Sequence, residues 1–345
     1  MWETLGYASA GILESYSDFA GVVELYRDAS GGCVIVADMM PSGSSKPCGA
    51  RTGCWSCTRA GRSDKSAEQL IESDEAKYGH LKPLNRLRTW LVNTQYDWSL
   101  RNFLGRTIAD DGHIEVGADS FSPETLRNLL IYTLTAERLS GVRIISLAQL
   151  IFIDAKWSSM ALWPPFTAIK TYFDVVDRGM WRQAPEVPFY PPSQAPKVGR
   201  LHVGEDWYSV TGLRSMAGQR DAMMELHHES CGITLKTLKN GALVCDYEEG
   251  SKYAVDEDGA ADFLAFLTDD YIRDYCDPNY PDWTEGVRIY QRLGILTVGA
   301  GQSRIMDETL RRSQWLQKMD LHGQRSPEDL KARCAVLYEN QAALF

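Results

Sequence analysis

Residues 120–141, SFSPETLRNLLIYTLTAERLSG, carry the clearest structural signal in the chain. Ser122 offers a side-chain oxygen to the first free N–H groups of a helix, and Pro123 fits the first helical position, where no N–H is required. Leu126, Leu129, Leu130 and Thr133/Leu134 then recur with the helical period. Gly141 supplies the residue that leaves a helix most easily through left-handed backbone. A long helix is therefore expected here, and its neighbours extend the reading.

Upstream, DFAGVVELYRDA puts Phe19, Val22, Val23 and Tyr26 on one helical face. The stretch from Ser66 to Trp98 predicts two helices broken near Gly79–Pro83, with Leu84, Leu87 and Leu91 as the apolar stripe. Downstream, SLAQLIFIDAKW and PFTAIKTYFDVVDRG are two more helix candidates. Residues 184–199, APEVPFYPPSQAPKVG, hold five prolines and predict a domain boundary. Beyond them RLHVGEDWYSVTG suggests a strand pair, and ITLKTLKNGALVCDYE a hairpin turning at Asn240-Gly241. GAADFLAFLTDDYIRDY, TLRRSQWLQKMDLHG and the residues from Pro327 on are helical. The expected fold is mainly α with a smaller α+β C-terminal part. Its organisation is a helical region over 1–183, a proline-rich linker over 184–199 and an α+β domain with a β-hairpin over 200–345.

The chain of 345 residues is 44% hydrophobic and carries a net charge of −10. A core can be buried, and broad non-specific binding to nucleic acid is disfavoured. The charge is uneven. Residues 246–285 hold 13 acids against two bases, whereas residues 46–65 hold five bases against one acid. No apolar run is long enough to span a membrane, and the first residues lack a basic start followed by an apolar core. A cytoplasmic location is expected, where clustered cysteines signify metal binding or catalysis rather than disulfides.

Four of the eight cysteines cluster within 25 residues that overlap the basic stretch, in the order Cys33, 14 residues, Cys48, five residues, Cys54, two residues, Cys57. Two cysteines separated by two residues can grip one metal from a tight turn, and two further thiolates complete a four-sulfur site. Such a site suits Zn²⁺ or an iron–sulfur cluster. Gly49 and Gly53 relieve crowding beside the ligands, and Lys46, Arg51, Arg59 and Arg62 offset the thiolate charge. The alternative is four unbound buried thiols. Cys231, Cys245, Cys276 and Cys334 are scattered and read as small buried hydrophobes. The SGG at 30–32 is not a phosphate loop, because Cys33-Val34-Ile35 follows where an Asp-Ser pair is needed, and neither a Walker loop nor a dinucleotide fingerprint occurs.

ELYRDASGGC, CGARTGCWSCT, DKS and LKPLNRLRTWL, continued by DSFSPETLRNLLIYTL, together resemble the C-terminal half of the DndC-type branch of the phosphoadenosine phosphosulfate (PAPS) reductase/ATP pyrophosphatase family. The likeness covers roughly residues 1 to 180. Members take part in DNA phosphorothioation, the replacement of a non-bridging phosphate oxygen by sulfur. The resemblance implies a 4Fe–4S cluster on Cys33, Cys48, Cys54 and Cys57. It also implies that Arg59, Arg62 and Lys65 meet an adenylyl or nucleic-acid phosphate; a solvated charged turn is the plainer reading of those three. The half that binds ATP in that family has no counterpart here, so an ATP-binding subunit is the expected partner. DNA is a further expected partner, and no activity is expected from the chain alone. A zinc or cluster module that docks nucleic acid or a protein without chemistry of its own is the alternative.

The remaining constellations carry less. Adjacent His227 and His228 point about 100° apart on a helix and do not share a face. The acidic run at 246–285 lacks a calcium-loop pattern and reads as a solvated face. Trp157, Trp163, Phe166, Tyr172 and Phe173 read as core rather than a base-stacking platform. No Gly-x-Ser-x-Gly elbow occurs.

Overall fold

A computed structural model describes Ser56, Thr58 and residues 63–103, 108–109, 111–118, 120–196, 199–203, 212–219, 235–237, 243–245, 253–298 and 302–342. The protein is mainly helical with small two-stranded antiparallel sheets, in agreement with the expected class. In chain order the helices are α1 (Lys65–Ser73), α2 (Glu75–Tyr78), α3 (Lys82–Asn93), α4 (Pro123–Ser140), α5 (Leu147–Ser159) and α6 (Thr167–Val176). They continue with α7 (Glu257–Phe266), α8 (Thr268–Tyr275), α9 (Glu285–Arg292), α10 (Ser303–Lys318) and α11 (Pro327–Ala342). The strands are β1 (Arg101–Asn102), β2 (His113–Val116), β3 (Ser120–Phe121), β4 (Gly199–His202), β5 (Leu235–Thr237), β6 (Leu243–Cys245), β7 (Tyr253–Val255) and β8 (Leu296–Val298).

The helix of residues 120–141 forms as its sequence dictates. The Ser122 hydroxyl accepts from the Thr125 N–H at 3.2 Å, Pro123 opens α4, and Gly141 ends it at φ 70°. α5 is closed at its start by a capping box between Ser146 and Gln149. The break near Gly79–Pro83 is a 3-10 turn over Gly79–Leu81 that leads into α3.

Contacts divide the chain into two compact units. In the first, the described residues are Ser56, Thr58, 63–97, Tyr132–Ile144 and Trp181–Pro192. Leu84, Leu87 and Trp90 of α3 are buried, and the Trp90 ring meets Tyr132 edge-on at 5.4 Å. The proline-rich chain lies extended along α3, and its backbone is tied there. Arg86 Nε donates to the Ala184 carbonyl at 2.6 Å, Asn93 Nδ2 to the Val187 carbonyl at 2.9 Å, and the Tyr190 N–H to the Asn93 carbonyl at 3.0 Å. With four prolines between 185 and 192 the segment has few N–H groups to donate, so side chains of α3 satisfy its carbonyls instead.

The second unit holds the described residues of 98–131, 145–180 and 193–342. β2 pairs with β4, with His113 opposite His202 and Val116 opposite Gly199. The first part of RLHVGEDWYSVTG thus pairs with residues far upstream, whereas residues 204–211 lie outside those described. Ile114 and Val116 join Val203, Trp315, Leu316, Leu321 and Leu330 in one apolar cluster. β5 pairs with β6 as the hairpin signal predicts, Thr237 opposite Leu243; the turn residues Asn240 and Gly241 lie outside the described residues. β7 pairs with β8.

α5, α6 and α9 pack around a buried carboxylate. Asp154 of α5 is 1% exposed and accepts from the N–H groups of Phe166 (3.0 Å) and Ala168 (2.8 Å) and from the Tyr290 hydroxyl (3.0 Å). It therefore caps the N-terminus of α6 from a neighbouring helix. Phe166 stands at φ 64°, a left-handed conformation uncommon outside glycine, and its ring is fully buried against Phe263, Tyr271, Tyr275 and Tyr290. Trp157 and Phe166 are core, as their spacing predicts, and the half-buried Trp163 donates its indole N–H to the Pro123 carbonyl.

Candidate functional site

The basic cysteine stretch ends where the first unit's described helices begin. Cys33, Cys48, Cys54, Cys57, Arg59 and Arg62 lie outside the described residues. Lys65 does not: it is the first residue of α1, and its side chain faces solvent. Asp64 caps this helix, with Oδ1 accepting from the Ala67 N–H at 3.2 Å. The helix start is fixed from below by Arg88 of α3, which is 0% exposed and brings its Nε to 4.0 Å from Asp64 Oδ2. A buried guanidinium beside the capping carboxylate neutralises it and holds the point at which the chain leaves the cysteine stretch.

Lys65 is exposed at the first position of α1. It stands at a helix N-terminus, where N–H groups and the helix dipole both favour negative charge. The donor set of the preceding stretch, four thiols, matches the soft-ligand chemistry of zinc or an iron–sulfur cluster. Among the described residues, no group of three histidine, cysteine or acidic side chains could hold a metal ion.

Of the remaining cysteines, Cys334 is buried, as the sequence suggests, and Cys276 is half-buried. Burial pushes the Cys276 thiol up in pKa, and the Thr167 hydroxyl at 3.6 Å only partly opposes it. Burial likewise raises the Cys334 thiol. Both stay protonated at neutral pH and make poor metal ligands. Cys245 lies in β6 opposite Leu235, and Cys231, His227 and His228 lie outside the described residues. The acidic run is spent on local structure: Asp256 caps α7, Arg273 pairs with Asp270 and Asp274, and Arg288 pairs with Asp282 and Glu285.

Arg88 and Asp154 are absent from the sequence-based candidates. Arg88 stands four residues after Leu84, within the apolar stripe of α3, and Asp154 stands three after Ile151 on the buried face of α5. A charge at an apolar position of a helical period is the signal that finds both.

No protein-family model, curated protein or solved structure matches the chain. Among the described residues no helix is long and apolar enough to cross a membrane.

Proposed function

We propose that this chain is the cluster-bearing part of a PAPS reductase-like sulfur-transfer system that acts on phosphate, with DNA as the candidate substrate and the ATP-binding half supplied by another polypeptide. The observation that carries the reading is the set Cys33, Cys48, Cys54 and Cys57, the last three of them within residues 46–65, where five bases stand against one acid. Four thiolates hold a 4Fe–4S cluster, which when bound supplies electron transfer or a site for sulfur. Arg59, Arg62 and Lys65 hold a phosphate of the substrate close to the thiolates by charge-assisted hydrogen bonds. Asp64 and Arg88 fix the helix that carries Lys65, so this cation keeps its place while the substrate changes.

Metal analysis of protein purified without oxygen tests the proposal. About four irons per chain, with the broad visible absorption of a cluster, is the expected result. One zinc per colourless chain turns the reading to a non-catalytic docking module, which the same four thiols would suit. Cys54→Ser strips the metal and Cys276→Ser keeps it; equal loss from both would remove the ligand assignment.

A further inference from the structure

In the second unit, His113 of β2 and His202 of β4 stand directly opposite each other. Ile114 and Val116 of β2 point into the apolar cluster, so by strand alternation His113 takes the other face of the ribbon, and His202 shares it. The Val203 N–H donates to the Gly112 carbonyl at 2.8 Å, while the His113 carbonyl accepts from the Ala109 N–H at 2.8 Å, away from β4. His113 and His202 therefore occupy a non-hydrogen-bonded position of the ladder, where opposed side chains come closest. Their ring centroids are 5.0 Å apart and the ring planes cross at 63°. Two imidazoles that share one tetrahedral ion at metal–nitrogen distances of about 2.0–2.1 Å place their ring centres about 5 Å apart. The pair already has that spacing.

Asp111 supports the arrangement from behind. Its Oδ1 stands 3.2 Å from His113 Nδ1, and that nitrogen is shielded from solvent although the side chain is 36% exposed. The accessible part of the ring thus lies away from Nδ1, toward Nε2. Asp111 is itself held in place: Arg200 Nη2 donates to its two oxygens at 3.3 and 3.2 Å, and the His113 backbone N–H donates to Oδ1 at 3.2 Å. A carboxylate behind the far nitrogen is the usual outer partner of a metal-binding histidine, because it orients the ring and makes it more basic. His202 is half-buried on the same face. An ion takes one nitrogen from each ring and leaves the second nitrogen of His202 to its other contacts. We infer that His113 and His202 bind one divalent late transition-metal ion of the zinc type, with Asp111 as the outer partner of His113. Imidazole donors select Zn²⁺, Cu²⁺ or Ni²⁺ over Mg²⁺ and Ca²⁺. No third histidine, cysteine or carboxylate among the described residues completes the set, so water fills the remaining positions. The bound ion clips β2 to β4. The site is separate from the cysteine stretch and does not rest on the function proposed above.

NMR of the full-length protein with isotope-labelled histidine rings, titrated with zinc chloride at neutral pH, tests the inference. The chain has six histidines, and their ring signals report on imidazole alone, so metal held by cysteines does not enter the readout. The signals of His113 and His202, identified from the spectra of His113→Gln and His202→Gln, should shift together in one saturating step with a midpoint of about 100 μM free zinc or below. Magnesium chloride should shift neither. Replacing either histidine should weaken the response of the other at least ~10-fold, and Asp111→Asn should weaken both by about 10-fold. The joint shift of two histidines is read on the unaltered protein, so the result does not depend on a variant folding. The inference is overturned if neither signal shifts, if the two shift at different midpoints, or if one histidine responds as in the parent after the other is replaced. Unchanged affinity in Asp111→Asn would overturn the part assigned to that carboxylate.

Discussion

The Tyr290 hydroxyl donates to Asp154 Oδ2 at 3.0 Å, and both side chains are buried, Tyr290 fully so. This hydrogen bond joins α5 to α9 at the point where the same carboxylate caps α6. Asp154→Ala leaves the Phe166 and Ala168 N–H groups and the Tyr290 hydroxyl without their acceptor. It should cost about 3 kcal/mol by urea denaturation, the scale for a broken buried network. Tyr290→Phe removes one donor of the three and should cost about 1 kcal/mol.

The pH dependence of stability follows from the same group. Burial raises the Asp154 carboxyl to about 6, above its ordinary value of 3.8, against the pull of its hydrogen-bond donors. The folded chain therefore holds this proton more tightly than the unfolded chain does. The contribution of Asp154 to stability is greatest below the lower value, falls as pH rises between 3.8 and about 6, and is level above that. Asp154→Asn should abolish this component, seen as the difference between the parent and variant curves of unfolding free energy against pH. Parallel curves would contradict the assignment.

Gly286 of α9 lies against Ser158 of α5. A Cβ there would stand 2.8 Å from Ser158 Oγ and 3.1 Å from Pro165 Cβ. Ser158 is itself held by its hydrogen bond to the Trp283 carbonyl at 2.6 Å. Gly286→Ala should lower stability by ~2 kcal/mol through overpacking, despite the better helix propensity of alanine. Thermal denaturation should show a loss; a gain would mean that the two helices separate freely.

Arg88 and Lys65 should separate in their effects. Arg88→Ala leaves Asp64 without the buried guanidinium beside it and opens space under α1, at a cost of about 3 kcal/mol. Lys65→Ala alters a solvent-facing side chain and should change stability by less than ~0.5 kcal/mol. If the proposed function holds, Lys65→Ala keeps its metal but loses affinity for a short single-stranded DNA in filter binding, whereas Arg88→Ala loses stability first.

The sequence made the local features legible and left the long-range ones hidden. Ser122, Pro123 and Gly141 act within a few residues of their own helix, and their chemistry names the ends of α4. The hairpin of β5 and β6 is likewise local. The partner of β4 is not, because β2 lies more than 80 residues upstream and nothing in GRLH specifies HIEV. The role of Asp154 is hidden for the same reason: its donors come from α6 and from Tyr290, 136 residues away. In the candidate site, the donor chemistry of the four cysteines is visible in their spacing, whereas the role expected of Lys65 comes from the family resemblance. Arg88 was not legible, since a long cationic side chain beside leucines is ordinarily solvated.

During cotranslational folding, the second unit must wait for its last elements. β2 and the carboxylate of Asp154 leave the ribosome well before β4 and Tyr290, so a nascent chain stopped at the proline-rich segment exposes Ile114 and Val116 and keeps Asp154 hydrated. Fragments severed between residues 183 and 200 should accordingly be sticky when made separately. When made together they should reassociate through the strand pair and the helices around Asp154.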